Sequence, residues 1–181
     1  IERFEFSYNN IITSLNGSSF ISFSESLKCY SKDIVITNNN FRIEDGATIS
    51  SFIKLDNVYN LELLDNTFIG NIDYAIYIDD TSKGLSGDLI NIERNYFSDI
   101  NINALNIDWL SPINNINSIV NINDNSFYNI LGNCIFLGNY NNTDQYKQIK
   151  ICDNYFENYK NGIYISRCTK LGNYSISNNI F

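Results

Sequence analysis

The pattern apolar, any, apolar, any, any, Asn, any, Phe returns along the whole chain and limits the possible folds more than any other feature. One copy reads Leu61-Glu62-Leu63-Leu64-Asp65-Asn66-Thr67-Phe68. Others span 34–41, 90–97, 120–127, 149–156 and 174–181, with a degenerate first copy at 4–11. Their last apolar residues are Ile11, Phe41, Phe68, Phe97, Phe127, Phe156 and Phe181, which by subtraction lie 30, 27, 29, 30, 29 and 25 residues apart. A period of this length marks a solenoid, in which each unit buries its apolar face only against its neighbours.

Strands rather than helices fill the repeat. From Leu89 the apolar residues fall into three short clusters: 89–92, then Tyr96-Phe97 with Ile100 after a turn at Asn95, then 104–107. The abundance of Ile, Tyr and Phe suits β-strands, and Asn and Ser suit turns, whereas helices need more Ala, Leu, Glu and Lys. Three strands per turn predict a roughly triangular coil. The repeats predict six to seven coils, about 30 Å of solenoid at about 4.8 Å per coil.

Period-2 alternation assigns the faces. In the third strand Ile21, Ile53, Ile76, Leu105, Ile135 and Ile163 form one inward column and Phe23, Leu55, Ile78, Ile107, Leu137 and Ile165 another. The closing Phe residues form an aromatic column inside the core. Two places before each closing residue stands Asn9, Asn39, Asn66, Asn95, Asn125, Asn154 or Asn179. Asn tolerates the left-handed backbone of a sharp corner, and stacked amides can hydrogen-bond from coil to coil.

This motif resembles the repeats of right-handed parallel β-helices of the pectate-lyase-like superfold, whose asparagine ladder occupies the corresponding corner. The resemblance covers nearly the whole chain. It implies an all-β fold, a single-stranded right-handed parallel β-helix with an asparagine ladder, and residues 1–181 are read as one domain of a longer chain or assembly. Enzymes of this superfold keep their active sites on the outer face of the third strand. The polygalacturonase-like branch uses a His, and this chain has none. The lyase branch uses an Arg or Lys base with calcium; Lys54 and Arg167 lie near the third strand but several coils apart.

Beside that strand, Asp56, Asp79 and Asp108 occupy one repeat position in successive coils, with Asp80 next to Asp79. Carboxylates about 4.8 Å apart raise one another's pKa or recruit a cation, so the column is read as a calcium site, as a glycosidase pair using Asp79 and Asp108, or as a solvated acidic edge. Tyr77, Phe136 and Tyr164 point outward from the same strand, and Trp109 and Tyr140 open the neighbouring connections. Such rings stack on sugars, anchor a partner, or lie under their own loops. The connections near 79–88, 108–118, 138–148 and 166–173 vary most, as binding loops do.

A net charge of −8, from 20 acidic and 12 basic residues, has the wrong sign for nucleic acid. No apolar run reaches the roughly 20 residues of a membrane span. Asn16, Asn141 and Asn173 head glycosylation sequons. Of the cysteines, Cys134 shares a column with Ala75, Ala104 and Gly162 and reads as a small packed residue, while Cys29 and Cys168 are about five coils apart, too far for a bridge within one chain. Both chain ends fall within repeats, which leaves strand edges open to another subunit. The expected function is a non-catalytic structural or adhesive segment of an extracellular or surface protein, with a filament subunit that self-associates through its ends as one form of it. The rivals are a calcium-dependent polysaccharide lyase or glycosidase and a glycan-binding module.

Overall fold

The computed structural model describes residues 3–14, 16–23, 31–44, 46–47, 49–56, 58–80, 89–109, 119–138, 148–166 and 173–181. Its elements follow the repeat. The first two copies each give three short strands: β1 (Arg3–Ser7), β2 (Asn10–Thr13) and β3 (Gly17–Phe23), then β4 (Ser31–Thr37), β5 (Asn40–Ile43) and β6 (Ile49–Asp56). The next four each give one short and one long strand: β7 (Val58–Leu64) with β8 (Thr67–Asp80), β9 (Leu89–Glu93) with β10 (Tyr96–Trp109), β11 (Ile119–Asn123) with β12 (Ser126–Gly138), and β13 (Gln148–Cys152) with β14 (Tyr155–Ile165). β15 (Asn173–Ser177) follows.

The strands stack into two parallel sheets, a 7-stranded one in the order β1-β4-β7-β9-β11-β13-β15 and an 8-stranded one through β14-β12-β10-β8, which continues to β5-β2 and to β6-β3. The chain is thus a parallel β-solenoid, as the repeat predicts. The coil count is corrected. The full unit of a short strand and a long one occurs about four times, not six or seven, because the first two copies are split into short pieces and no long strand follows β15 among the described residues.

The expected three separate strands per coil are also corrected. In the four full coils the second and third strands run on as one ribbon, bent by a residue with positive φ two places after the core Phe: Gly70, Asp99, Asn129 or Asn158. Against β8 the register of β10 slips by one between Ser98 and Ile100 and returns between Ile100 and Asn103, and β12 carries one residue more than β14 between Ile130 and Asn133. Ile102 and Leu131 lie in these irregular stretches and stand out into solvent, at 40% and 68% exposure.

Like stacks on like in the core. Phe41, Phe68, Phe97, Phe127, Phe156 and Phe181 form a continuous stack with centroid separations of 4.9, 5.2, 5.0, 5.0 and 4.9 Å and interplanar angles of 4 to 7°. The inward columns of the third strand stand as the alternation assigns them: Ile53, Ile76, Leu105 and Ile135 are paired in register and fully buried.

The asparagine ladder is present from Asn9 to Asn179. Asn95 shows its wiring: the backbone N–H and side-chain Nδ2 donate to Asn125 Oδ1 at 2.9 and 3.1 Å, and Nδ2 also donates to the Leu63 carbonyl one coil back at 2.8 Å. Its own Oδ1 accepts from Asn66 N–H and Nδ2. Asn39, Asn66, Asn125 and Asn154 repeat this pattern and are buried, so the ladder satisfies polar groups that the corner would otherwise strand in the core. The left-handed residue is not the ladder Asn, as expected from its conformational tolerance, but the one before it: Tyr8, Asn38, Asp65, Arg94, Asp124, Asp153 and Asn178 all have φ between 55 and 59°. That residue turns the chain so that the next amide points inward.

Candidate functional site

The outer face of the third strand was the expected location of any chemistry, and its rows are in register. Lys54, Tyr77, Asn106, Phe136 and Tyr164 form one row, and Asp56, Asp79, Asp108 and Gly138 the next. The acidic column is therefore a real backbone alignment. It ends at Gly138, where an added Cβ would lie 2.9 Å from Asp108 Oδ1 and 2.5 Å from the Phe136 ring. Asp56 and Asp108 are half-buried, and Asp108 Oδ1 is shielded from solvent without a hydrogen-bond partner among the described residues. The side chains of Asp79, Asp80 and Trp109 lie outside the described residues, as do Tyr140, Arg167, Cys29, Cys168 and the sequon residue Asn141. Among the described residues no group of three His, Cys, Asp or Glu side chains is close enough to hold a metal ion.

The aromatic row is interrupted. Phe136 and Tyr164 stack at 5.6 Å, and Tyr77 packs edge-on against Tyr74 at 5.0 Å with Lys54 Nζ 6.0 Å from its ring centroid. Between these two groups stands Asn106, 5% exposed, whose Oδ1 accepts from Asn103 Nδ2 at 2.8 Å. Asn103 in turn accepts from Asn133 Nδ2, and Asn133 from Asn161 Nδ2, at 2.6 and 2.9 Å. This second amide ladder runs beside the row and fixes its backbone. The burial of Tyr74 raises its pKa, with the nearby Asp73 carboxylate adding to the effect.

Cys134 is fully buried among apolar residues, which pushes its thiol up to about 12 and keeps it protonated. It is the small packed residue its column suggested. Cys152 is half-buried and accepts from Ser177 Oγ at 3.2 Å. Asn16 and Asn173 are exposed. On the outer face of the first sheet a concavity of about 350 Å³ lies between Arg3, Asp33, Asn60 and Glu62, with Asn60 Nδ2 donating to Asp33 Oδ1 at 2.7 Å. Another, of about 650 Å³, lies beside β14 and is bordered by Gly162, Ile163, Ile165, Ile176 and Phe181.

Sequence reasoning missed a third aromatic group on the first half of the long strands. Tyr96 and Tyr128 have centroids 5.1 Å apart, and Tyr128 and Tyr155 5.5 Å. The Tyr155 hydroxyl donates to Glu157 Oε2 at 2.8 Å, and this bond to a carboxylate raises the phenol's pKa. The described residues contain no helix, hence none long and apolar enough to cross a membrane. No protein-family model matches the sequence, and neither a curated protein nor a solved structure matches it.

Proposed function

We propose that this chain is a non-catalytic structural or adhesive segment of an extracellular or cell-surface protein, built as a pectate-lyase-like right-handed β-helix and able to stack end to end into a filament. The observation that carries this reading is the unbroken repetition of the same contacts between coils, the Phe stack from Phe41 to Phe181 and the amide ladder from Asn9 to Asn179. A solenoid of this kind gains rigidity and length from every added coil. The apolar hollow bordered by Ile163, Ile165 and Phe181 suits continuation of the stack by a second copy. Electron microscopy of the native material, with and without a calcium chelator, tests it. Fibres with an axial repeat near one subunit length are the expected result, and single short particles in both conditions would overturn the filament reading.

A second reading, a glycan-binding module, draws on the stacked rings of Phe136 and Tyr164 beside the acidic column. Exposed stacked rings suit the apolar faces of sugars. Loss of binding to acidic polysaccharide in Tyr164→Ala, with the fold unchanged, would favour it.

A further inference from the structure

The Tyr96, Tyr128 and Tyr155 group lies on a face bounded by two sharp corners. On one side stand the left-handed residues Asp124 and Asp153, both exposed and in no ion pair among the described residues. On the other stand Glu157 and the left-handed Asp99. The rings lie in two adjacent rows, Tyr96 and Tyr155 flanking Ser126 in one, and Tyr128 between Ser98 and Glu157 in the other. They therefore form a zigzag strip across three coils rather than a single column. Tyr96 is 37% exposed, and the other two are half-buried.

Carboxylates on both sides of an aromatic strip make a surface complementary to cations. Ring faces attract a guanidinium or ammonium through the quadrupole, and flanking carboxylates add Coulomb attraction and hydrogen-bond acceptors. Arg94, two residues before Tyr96, is already held by Asp65 at 2.8 and 3.0 Å and by Glu93 at 3.2 Å. It forms no ion pair with Asp124, Asp153 or Glu157. Amide bonds also brace the far corner: Asn129 Nδ2 donates to Asp99 Oδ1 at 3.1 Å, and Asn158 Nδ2 donates to Asn129 Oδ1 at 2.6 Å.

We infer that the strip formed by Tyr96, Tyr128 and Tyr155 between Asp124, Asp153 and Glu157 is a docking surface for an Arg- and Lys-bearing polypeptide segment of a partner protein. This goes beyond the structural reading and does not depend on end-to-end assembly. The chain supplies a rigid, preorganised platform, so binding orders few of its own groups. Arg should bind better than Lys, because its planar head can stack on the rings as well as pair with carboxylates.

The test is the affinity of the intact protein for fluorescent octa-arginine and octa-lysine peptides, read by anisotropy at two salt concentrations. Saturable binding that prefers octa-arginine is expected. The triple variant Tyr96→Ala, Tyr128→Ala, Tyr155→Ala should weaken it by about tenfold or more, whereas the matching triple Phe variant should stay within about threefold, since it keeps the rings. Asp124→Asn with Asp153→Asn should weaken binding more than Asp33→Asn with Glu62→Gln, which removes the same charge from the other sheet. Circular dichroism checks that each variant keeps its β signal. The inference is overturned by absence of binding, or by equal losses in the two charge-removal variants with the alanine triple silent, which is attraction to net charge alone. Preference of the strip for a neutral β-1,4-linked hexasaccharide over both peptides would also overturn it.

Discussion

Gly132 lies so close to the Ile102 carbonyl of the preceding coil that a Cβ built on it would sit 1.7 Å from the oxygen and 2.7 Å from the carbonyl carbon. These are backbone atoms in the bend where β12 carries its extra residue, so no side-chain rotation can make room. Gly132→Ala must separate two coils locally and disturb the adjoining hydrogen bonds between Asn103 and Asn133. A loss of about 3 kcal/mol is expected in urea unfolding, at the upper end for overpacking. Gly46→Ala is the comparison. Its φ of 87° also favours glycine but nothing lies within 4 Å of the added Cβ, so only conformational strain of about 1 kcal/mol is expected.

The thiols should differ sharply. Cys134 is fully buried, and burial raises its pKa to about 12, so at pH 8 only about one molecule in ten thousand carries the reactive thiolate. Peptide mapping after a short iodoacetamide pulse should find Cys152 modified and Cys134 untouched until denaturant is added. The raised pKa also sets a sign. The unfolded thiol ionises near its ordinary value, so this group's stabilising contribution is present below that pH and is lost as pH rises beyond it. Rapid modification of Cys134 in the native protein would mean that the coils around it open readily.

How much of this was legible in the sequence follows from the stacking rule. Columns that repeat one residue type in one register, such as Phe68, Phe97 and Phe127 or the ladder from Asn39 to Asn154, are visible because each coil requires of the next what it provides itself. The left-handed corner was assigned one residue late because its true position holds Tyr8 and Arg94 among the Asp and Asn residues, and only backbone geometry unites them. The tyrosine strip escaped for a different reason. Its rings alternate between two rows, so a search down one row meets Tyr96, Ser126 and Tyr155, and down the other Ser98, Tyr128 and Glu157. The fusion of the second and third strands was hidden because the apolar clusters are separate in sequence, whereas the strand runs on between them through the positive-φ kinks at Gly70, Asp99 and Asn129.

Arg94 occupies a left-handed position that favours Asn or Gly, and its guanidinium grips Asp65 in a two-pronged pair across neighbouring coils. The hydrogen bond from Arg94 is the main cause that lowers the Asp65 pKa. A carboxyl whose pKa is lower folded than unfolded stabilises above its unfolded value, and that contribution disappears as pH falls through the folded value. Both side chains are more than a third exposed, at 48% and 38%, so solvent screening holds the gain to about 0.5 kcal/mol. Asp65→Asn should therefore cost about that much at pH 7 and low salt, and nothing at pH 2. Arg94→Asn loses the same pair but relieves the backbone, and its melting temperature should stay close to that of the unchanged protein.

Asn95 offers the strictest test of the ladder, because the residue can be changed in charge without changing its shape. Asn95→Ala removes the acceptor for Asn66 N–H and Nδ2 and the donor to the Leu63 carbonyl, leaving buried polar groups unpaired at a cost of about 3 kcal/mol. Asn95→Asp keeps the acceptor oxygens but loses the amide donor and places a carboxylate at a position 2% exposed. Burial disfavours the charged form, and Asn125 Oδ1 and the Leu63 carbonyl, which now face an oxygen, favour a proton there. The folded pKa of the new acid should therefore stand above its unfolded value. Protons then bind the folded state more tightly, so the variant should gain stability as pH falls and be weakest at neutral pH and above. Urea unfolding at pH 4 and pH 7 reads this directly. Asn9→Asp, at a half-buried end of the ladder, should show a much smaller difference between the two pH values. Equal pH responses at the two positions would mean that the amides at the corner are not the buried, mutually satisfied column on which the coil stacking rests.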